Sequence, residues 1–202
     1  MNTEQVAELV LQSLEHELGG VQVYTTAVQC AVNSDLKQEW QEYLEQTKTH
    51  VSALESICEA LGLDSKKETS GRKVVRHVGA ALVDAMKMAL AAGEPAAAQL
   101  TACECVVLAE TKDHADWQLL GKCGEHLEGA QALALKQAYE SIEDQEDEHL
   151  YHTKGWCREL WVQALGLPAV LPPPEERQKV KTAIGAARAE QAGEMLRLQS
   201  ER

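Results

Sequence analysis

A chain of 202 residues with 32 acidic and 19 basic side chains, a net charge of −13, lacks the basic surface that a phosphate backbone requires. This argues against DNA or RNA as a partner. Ala, Leu, Glu and Gln dominate and Phe is absent, an all-α composition at a length that suits one core with appendages; with no run of about 18 apolar residues, no membrane-spanning helix is expected.

The first predicted helix runs from Thr3 to Val32 on a stripe of Val6, Val10, Leu14, Val21, Tyr24 and Val28 at three- and four-residue steps. Glu17 falls on that stripe, where the pattern calls for an apolar side chain, while His16 beside it is expected to face solvent. The opening MNTEQVAELV lacks the basic-then-apolar order of a secretory signal. Asn33-Ser34-Asp35 is a turn carrying an N-cap residue. The second helix, Asp35 to Leu63, presents Leu36, Trp40, Tyr43, Leu44, Val51, Leu54, Ile57 and Leu61, with Thr47 and His50 inside the same stripe.

A polar loop leads to an amphipathic helix over Lys73 to Ala92, which Gly93-Glu94-Pro95 breaks. The third long helix starts near Ala96 and carries Leu100, Cys103, Val106, Val107, Trp117 and Leu120, with Glu110 and His114 near the middle of that face and Glu104 at its edge. The fourth reads Leu135, Ala138, Tyr139 and Ile142, then Glu146, His149, Thr153, Trp156 and Leu160. Within EDQEDEHLYH (143–152), therefore, only Glu146 and His149 continue the apolar stripe; Asp144, Asp147, Glu148 and His152 fall on faces that solvent can reach. Leu167 to Pro174 is a proline-rich stop, and Glu175 to Arg202 reads as a charged terminal helix. Residues 1–166 thus form the main unit and 167–202 a linker and terminal helix, placed to pack on that unit or on a second copy, which leaves a homo-oligomer open.

Cys30, Cys58, Cys103, Cys105, Cys123 and Cys157 show no Cys-x-x-Cys spacing. They read as reduced, mostly buried thiols of a cytoplasmic protein.

Burying an unpaired carboxylate or imidazole costs several kcal/mol, and each of the four long helices carries at least one such group. Residues equidistant from a hairpin turn face each other. Glu17 and Thr47 are centred on residue 32, and Glu110 and Glu146 on residue 128, inside Leu127-Glu128-Gly129. The groups then converge at one depth. A turn at Gly121-Lys122-Cys123-Gly124 would instead bring Glu104 toward Glu146, but the helical face favours Glu110.

This pattern resembles the ferritin-like di-iron carboxylate superfamily, in which two helices each give a Glu and two give Glu-x-x-His. Glu17 followed two turns later by Tyr24 is similar to the first helix of rubrerythrin and bacterioferritin relatives. Glu146-Asp147-Glu148-His149 matches the fourth-helix motif, and Glu110 resembles the third-helix carboxylate. The resemblance, over residues 5 to 165, implies an antiparallel four-helix bundle with a long crossover helix and an extra C-terminal helix. It implies metal ligation by Glu17, His50, Glu110, Glu146 and His149, with Tyr24, Thr47 and His114 around them. Iron is the implied metal, and manganese or zinc would suit the same donors. The departure is Thr47, which stands where the second-helix carboxylate is expected. One metal is then held comfortably and a second more weakly. The resemblance implies oxidation of iron or reaction with oxygen or peroxide. A scaffold with a degenerate site and a di-iron-type monooxygenase are the competing readings.

Overall fold

The computed structural model describes the backbone of residues 1–200 and the side chains of residues 1–198. The protein is all-α, with seven helices and no strand among the described residues: α1 (Thr3–Cys30), α2 (Ser34–Leu61), α3 (Ser70–Ala91), α4 (Pro95–His126), α5 (Gly129–Ala164), α6 (Pro174–Arg177) and α7 (Ala183–Ser200). No helix is long and apolar enough to cross a membrane.

Local chemistry sets the boundaries. The Asn2 side chain accepts from the amides of Glu4 (3.1 Å) and Gln5 (3.3 Å), and Asn33 from those of Asp35 (2.9 Å) and Leu36 (3.1 Å), which satisfies amides left free at a helix start. Gly62, left-handed at φ 68°, closes α2. The second hairpin turns at 127–128 and not at 121–124, because α4 continues unbroken to His126. The terminal helix expected over 175–202 is divided. A single turn, α6, is followed by Lys179 at φ 49° and only then by α7; the last two residues of the expected helix, 201–202, lie outside the described residues.

Each of α1, α2, α4 and α5 packs against two of the others, in the pairs α1–α2, α1–α4, α2–α5 and α4–α5. The bonds between them fix direction. The amides of Val32 and Asn33 donate to Gln99 and Trp117 donates to Glu17, so α1 and α4 are antiparallel. Trp156 donates to Glu39 and His149 to Gln46, so α2 and α5 are antiparallel as well. The crossover helix α3 returns along α1 and lies against α1 and α4. Gly19 and Gly79 bring α1 and α3 backbone to backbone, since a Cβ on Gly19 would stand 3.9 Å from the Gly79 Cα. Arg72 and Arg76 of α3 clamp Glu15 of α1. This outer layer explains why α1 buries two faces: Leu11, Glu15, Val23, Ala27 and Cys30 are buried, whereas Val21 and Val28 of the expected stripe are only half-buried.

Two apolar clusters fill the interior. One holds Tyr24, Trp40, Tyr43, Val106 and Trp156; the other holds Val10, Leu14, Leu54, Trp117, Leu120 and Leu135. Between them lies a polar layer contributed by all four long helices. All six thiols are free, and burial raises the pKa of each, so they stay protonated and unreactive.

Candidate metal centre

The polar layer is assembled from Glu17 of α1, His50 of α2, Glu110 and Asp113 of α4, and Glu146 and His149 of α5, every one of them buried. Glu17, His50 and Glu146 place one ligand atom each within 4.8 Å of one another, and Glu110, Glu146 and His149 do the same. Glu146 belongs to both sets, so two adjoining groups that could each hold an ion share one carboxylate.

His50 Nδ1 stands 2.9 Å from Glu146 and 3.4 Å from Glu17. His149 Nδ1 stands 3.5 Å from Glu110 and 3.8 Å from Glu146. The far nitrogens are held by two glutamines in a reciprocal exchange between α2 and α5: His50 Nε2 donates to the Gln145 side-chain oxygen at 2.8 Å, and His149 Nε2 to that of Gln46 at 2.6 Å. An amide oxygen only accepts, so each Nε2 carries a proton and each Nδ1 is the nitrogen turned toward the carboxylates. This is how outer partners orient metal-binding imidazoles. His50 Nδ1 has no hydrogen-bond partner despite the 2.9 Å approach, because the carboxylate lies off the axis an N–H would need. Glu17 Oε2, Glu110 Oε2 and both oxygens of Glu146 are likewise buried without one.

The charges act on one another strongly. Burial opposes the charged form of His50, but the close carboxylates of Glu146 and Glu17 outweigh it and raise its pKa to about 11. Burial, with Glu17 and Glu110, lifts Glu146 to about 7 against the pull of His50 and His149. Glu110 is buried too, yet His149 and Tyr24 hold its pKa below the ordinary value. In Asp113, burial and then Glu146, Glu17 and Glu110 push the carboxyl well above its usual range. Its Oδ1 is also without a hydrogen-bond partner.

Aromatic rings wall the layer. Tyr43 lies 4.1 Å from the His149 ring, centroid to centroid, and Tyr24 meets the same ring edge-on at 5.8 Å. The Trp117 indole donates to Glu17 Oε1 at 2.7 Å and sits edge-on to His50 at 6.0 Å. Burial, and after it the Glu110 charge, raises the Tyr24 hydroxyl well above its ordinary pKa. A cavity of about 40 Å³ between α4 and α5, with His114, Trp117 and Asp147 in its wall, reaches Glu146; that is room for about one water.

The structure therefore brings together Glu17, His50, Glu110, Glu146 and His149, with Tyr24 beside them. Glu104 is exposed and accepts from Trp161 at 3.0 Å, away from the layer. His114 turns outward to Asp147 at 2.7 Å. Thr47 is buried, but its hydroxyl donates to the Tyr43 carbonyl one turn back (2.8 Å), and its methyl faces Gly20. Two histidines differ from expectation. His16 is half-buried, with Nε2 3.0 Å from the Ala109 carbonyl, because α4 covers that side of α1. His152 is buried beside Tyr43 and Glu39, because residues of the C-terminal segment cover it.

The residues that the sequence reading left out are Asp113, Gln46 and Gln145. Their signals are present in the chain. Asp113 lies three residues after Glu110 and four before Trp117, on one helical face, and each site histidine is preceded four residues earlier by Gln, in QTKTH and QEDEH.

No known protein family, curated protein or solved structure matches this chain.

Proposed function

We propose that this chain is a ferritin-like four-helix-bundle protein of the di-iron carboxylate type, and that its buried layer binds divalent transition metal. Iron is the first choice, and manganese or zinc suits the same nitrogen and oxygen donors. The observation that carries this reading is a buried cluster of carboxylates with only imidazole to offset it. Among the described residues no Lys or Arg forms an ion pair with Glu17, Glu110 or Glu146, while imidazole Nδ1 atoms are fixed toward those carboxylates by bonds on their far side. A divalent ion satisfies both at once.

The helix arrangement supports the superfamily. Two antiparallel hairpins, α1–α2 and α4–α5, are joined by a long connection containing α3, and the buried groups come from all four long helices, as in that plan. Glu17, His50 and Glu146 hold one ion, Glu110, Glu146 and His149 the other. Thr47 brings no charge. Asp113 supplies a fourth carboxylate instead, so four negative charges face two divalent ions. Iron held there supplies electron transfer toward oxygen or peroxide. The chain's part is to fix the imidazoles through Gln46 and Gln145, to exclude bulk water with Trp117, Tyr43 and Tyr24, and to keep the Tyr24 hydroxyl beside Glu110.

The test is elemental analysis of protein purified without chelator and then reconstituted with ferrous iron under argon. Two irons per chain are expected, both lost in Glu146→Gln, which the two positions share, and one lost in His149→Leu, with helical circular dichroism retained. No bound metal in the wild-type protein, with iron, manganese or zinc, would refute the reading and leave a scaffold with a degenerate site.

A further inference from the structure

Outside His149 a second feature is unused by the centre. A cavity of about 450 Å³ opens between the first turns of α2, the part of α5 around residues 148–152 and the residues of and just after α6. Asp35, Glu39, Glu42, Glu148 and Glu176 line it, against a single lysine, Lys179. Acidity alone specifies nothing, but two buried atoms in its wall do. His152, 6% exposed, keeps Nδ1 near Tyr43 (3.2 Å) and Glu39 (3.5 Å), while its Nε2 is buried with no hydrogen-bond partner. Oε2 of Glu176 is buried without one too. Burial, and after it the charge on Glu39, raises the Glu176 carboxyl to about 7. An imidazole nitrogen and a carboxylate oxygen left unpaired in an acidic cavity call for a cation.

The floor of this cavity is the wall of the centre. Tyr43 and Gln46 both line it. Gln46 is the residue that holds His149 Nε2, and the Tyr43 ring lies tilted against His149. One layer of side chains separates the two. We propose that the cavity is the receiving site for the divalent cation, which it holds in hydrated form against Glu148, Glu176 and His152 before the ion passes Tyr43 and Gln46 to Glu110, Glu146 and His149. Its volume accommodates an ion with about six waters at roughly 30 Å³ each. An acid-lined concavity raises the local cation concentration and the on-rate, more so at low salt. The inference rests on the metal-binding reading of the centre.

Stopped-flow uptake of cobalt(II) by metal-free protein tests it, read by absorbance of the buried ion. The double variant Glu148→Gln/Glu176→Gln should load about tenfold more slowly at low ionic strength, with the same final cobalt per chain. Added salt should erase most of the difference from wild type. Glu59→Gln/Glu125→Gln removes two carboxylates from exposed positions at the other end of the bundle and should load at the wild-type rate. Equal rates in all three proteins, or equal slowing in both double variants, would overturn the receiving site while leaving the centre intact. Failure of wild-type protein to retain any cobalt would instead bring down the centre, and this inference with it.

Discussion

If Asp113 supplies the charge that Thr47 does not, exchanging the two should be nearly neutral while removing Asp113 alone should not. The carboxyl of Asp113 is pushed up by burial and then by Glu146, Glu17 and Glu110, so it acts on all three of those carboxylates. At an effective dielectric of about 20, a unit charge about 6 Å from a divalent ion is worth about 5 kcal/mol. Burying the carboxylate takes back several kcal/mol. The net effect of Asp113→Asn is therefore about 2 kcal/mol, roughly a 30-fold loss in affinity, falling on the weaker of the two ions. Thr47→Glu adds a carboxylate three residues before His50 on the same helical face, next to the space left by Gly20. In the Asp113→Asn background it should restore two ions per chain. Isothermal titration with manganese(II), a probe that does not oxidise in air at neutral pH on this timescale, reads both stoichiometry and affinity. Two ions bound by Asp113→Asn at wild-type affinity would refute the argument. So would a Thr47→Glu/Asp113→Asn protein that is folded but still one ion short.

Gln46→Leu and Gln145→Leu each free one imidazole from its outer partner and should weaken manganese binding by about 10- to 100-fold, with little change in helicity by circular dichroism; unchanged affinity would count against the tautomer argument. Cobalt(II) should quench tryptophan fluorescence through Trp117, which lies against Glu17 and His50, and the quench should shrink sharply in Trp117→Phe, as a fluorescence titration would show. Glu15→Gln should destabilise the fold by about 3 kcal/mol, because Arg72 is left buried and uncompensated. Burial tends to raise the pKa of Glu15, but hydrogen bonds from Arg76 and Arg72 outweigh that and leave it depressed. Its stabilisation is therefore present above the unfolded value of 4.5 and disappears as pH falls through the folded one. Urea melts should show a larger Glu15→Gln deficit at pH 7 than at pH 3.

The long helices were legible because each has an apolar stripe and a chemical stop: Asn33 caps α2, Gly62 closes it, and Pro95 opens α4. The convergence of Glu17, His50, Glu110, Glu146 and His149 was legible for a related reason. A charged residue on an apolar stripe conflicts with the local rule, and four such conflicts at matched distances from two turns require a shared cause. Asp113 was less visible. It lies on the Glu110–Trp117 face, but Asp116, Lys112 and His114 around it blur that face into what resembles a solvated helix. The burial of His16 and His152 could not be read from their own helices. His16 is covered by α4 and His152 by residues after the proline-rich stop, contacts that depend on how distant segments fold back. The break between α6 and α7 has a comparable origin. Arg158 grips Glu175 through two hydrogen bonds of 2.6 and 2.9 Å, and Gly155 leaves the space for that carboxylate, so tertiary anchoring overrides helix propensity in the terminal segment.

The way this chain handles other buried acids gives the centre its meaning. Glu15 receives two arginines. Glu159, fully buried, is met by Arg158, Arg197 and the Val170 amide. Glu175 takes both arms of Arg158. In each case desolvation is offset by a cation from the chain itself, and for Glu15 and Glu159 the carboxyl pKa lies below its ordinary value. Within the polar layer Glu146 and Asp113 are instead pushed upward, while His149 and Tyr24 hold Glu110 down, and no side-chain ammonium or guanidinium among the described residues pairs with any of the three. The chain pairs its buried carboxylates with arginine in three places, and in a fourth it sets Glu17, Glu110 and Glu146 against two imidazoles braced from behind. In the first three the chain supplies the cation. On the proposed reading, the cation of the fourth is a bound metal ion.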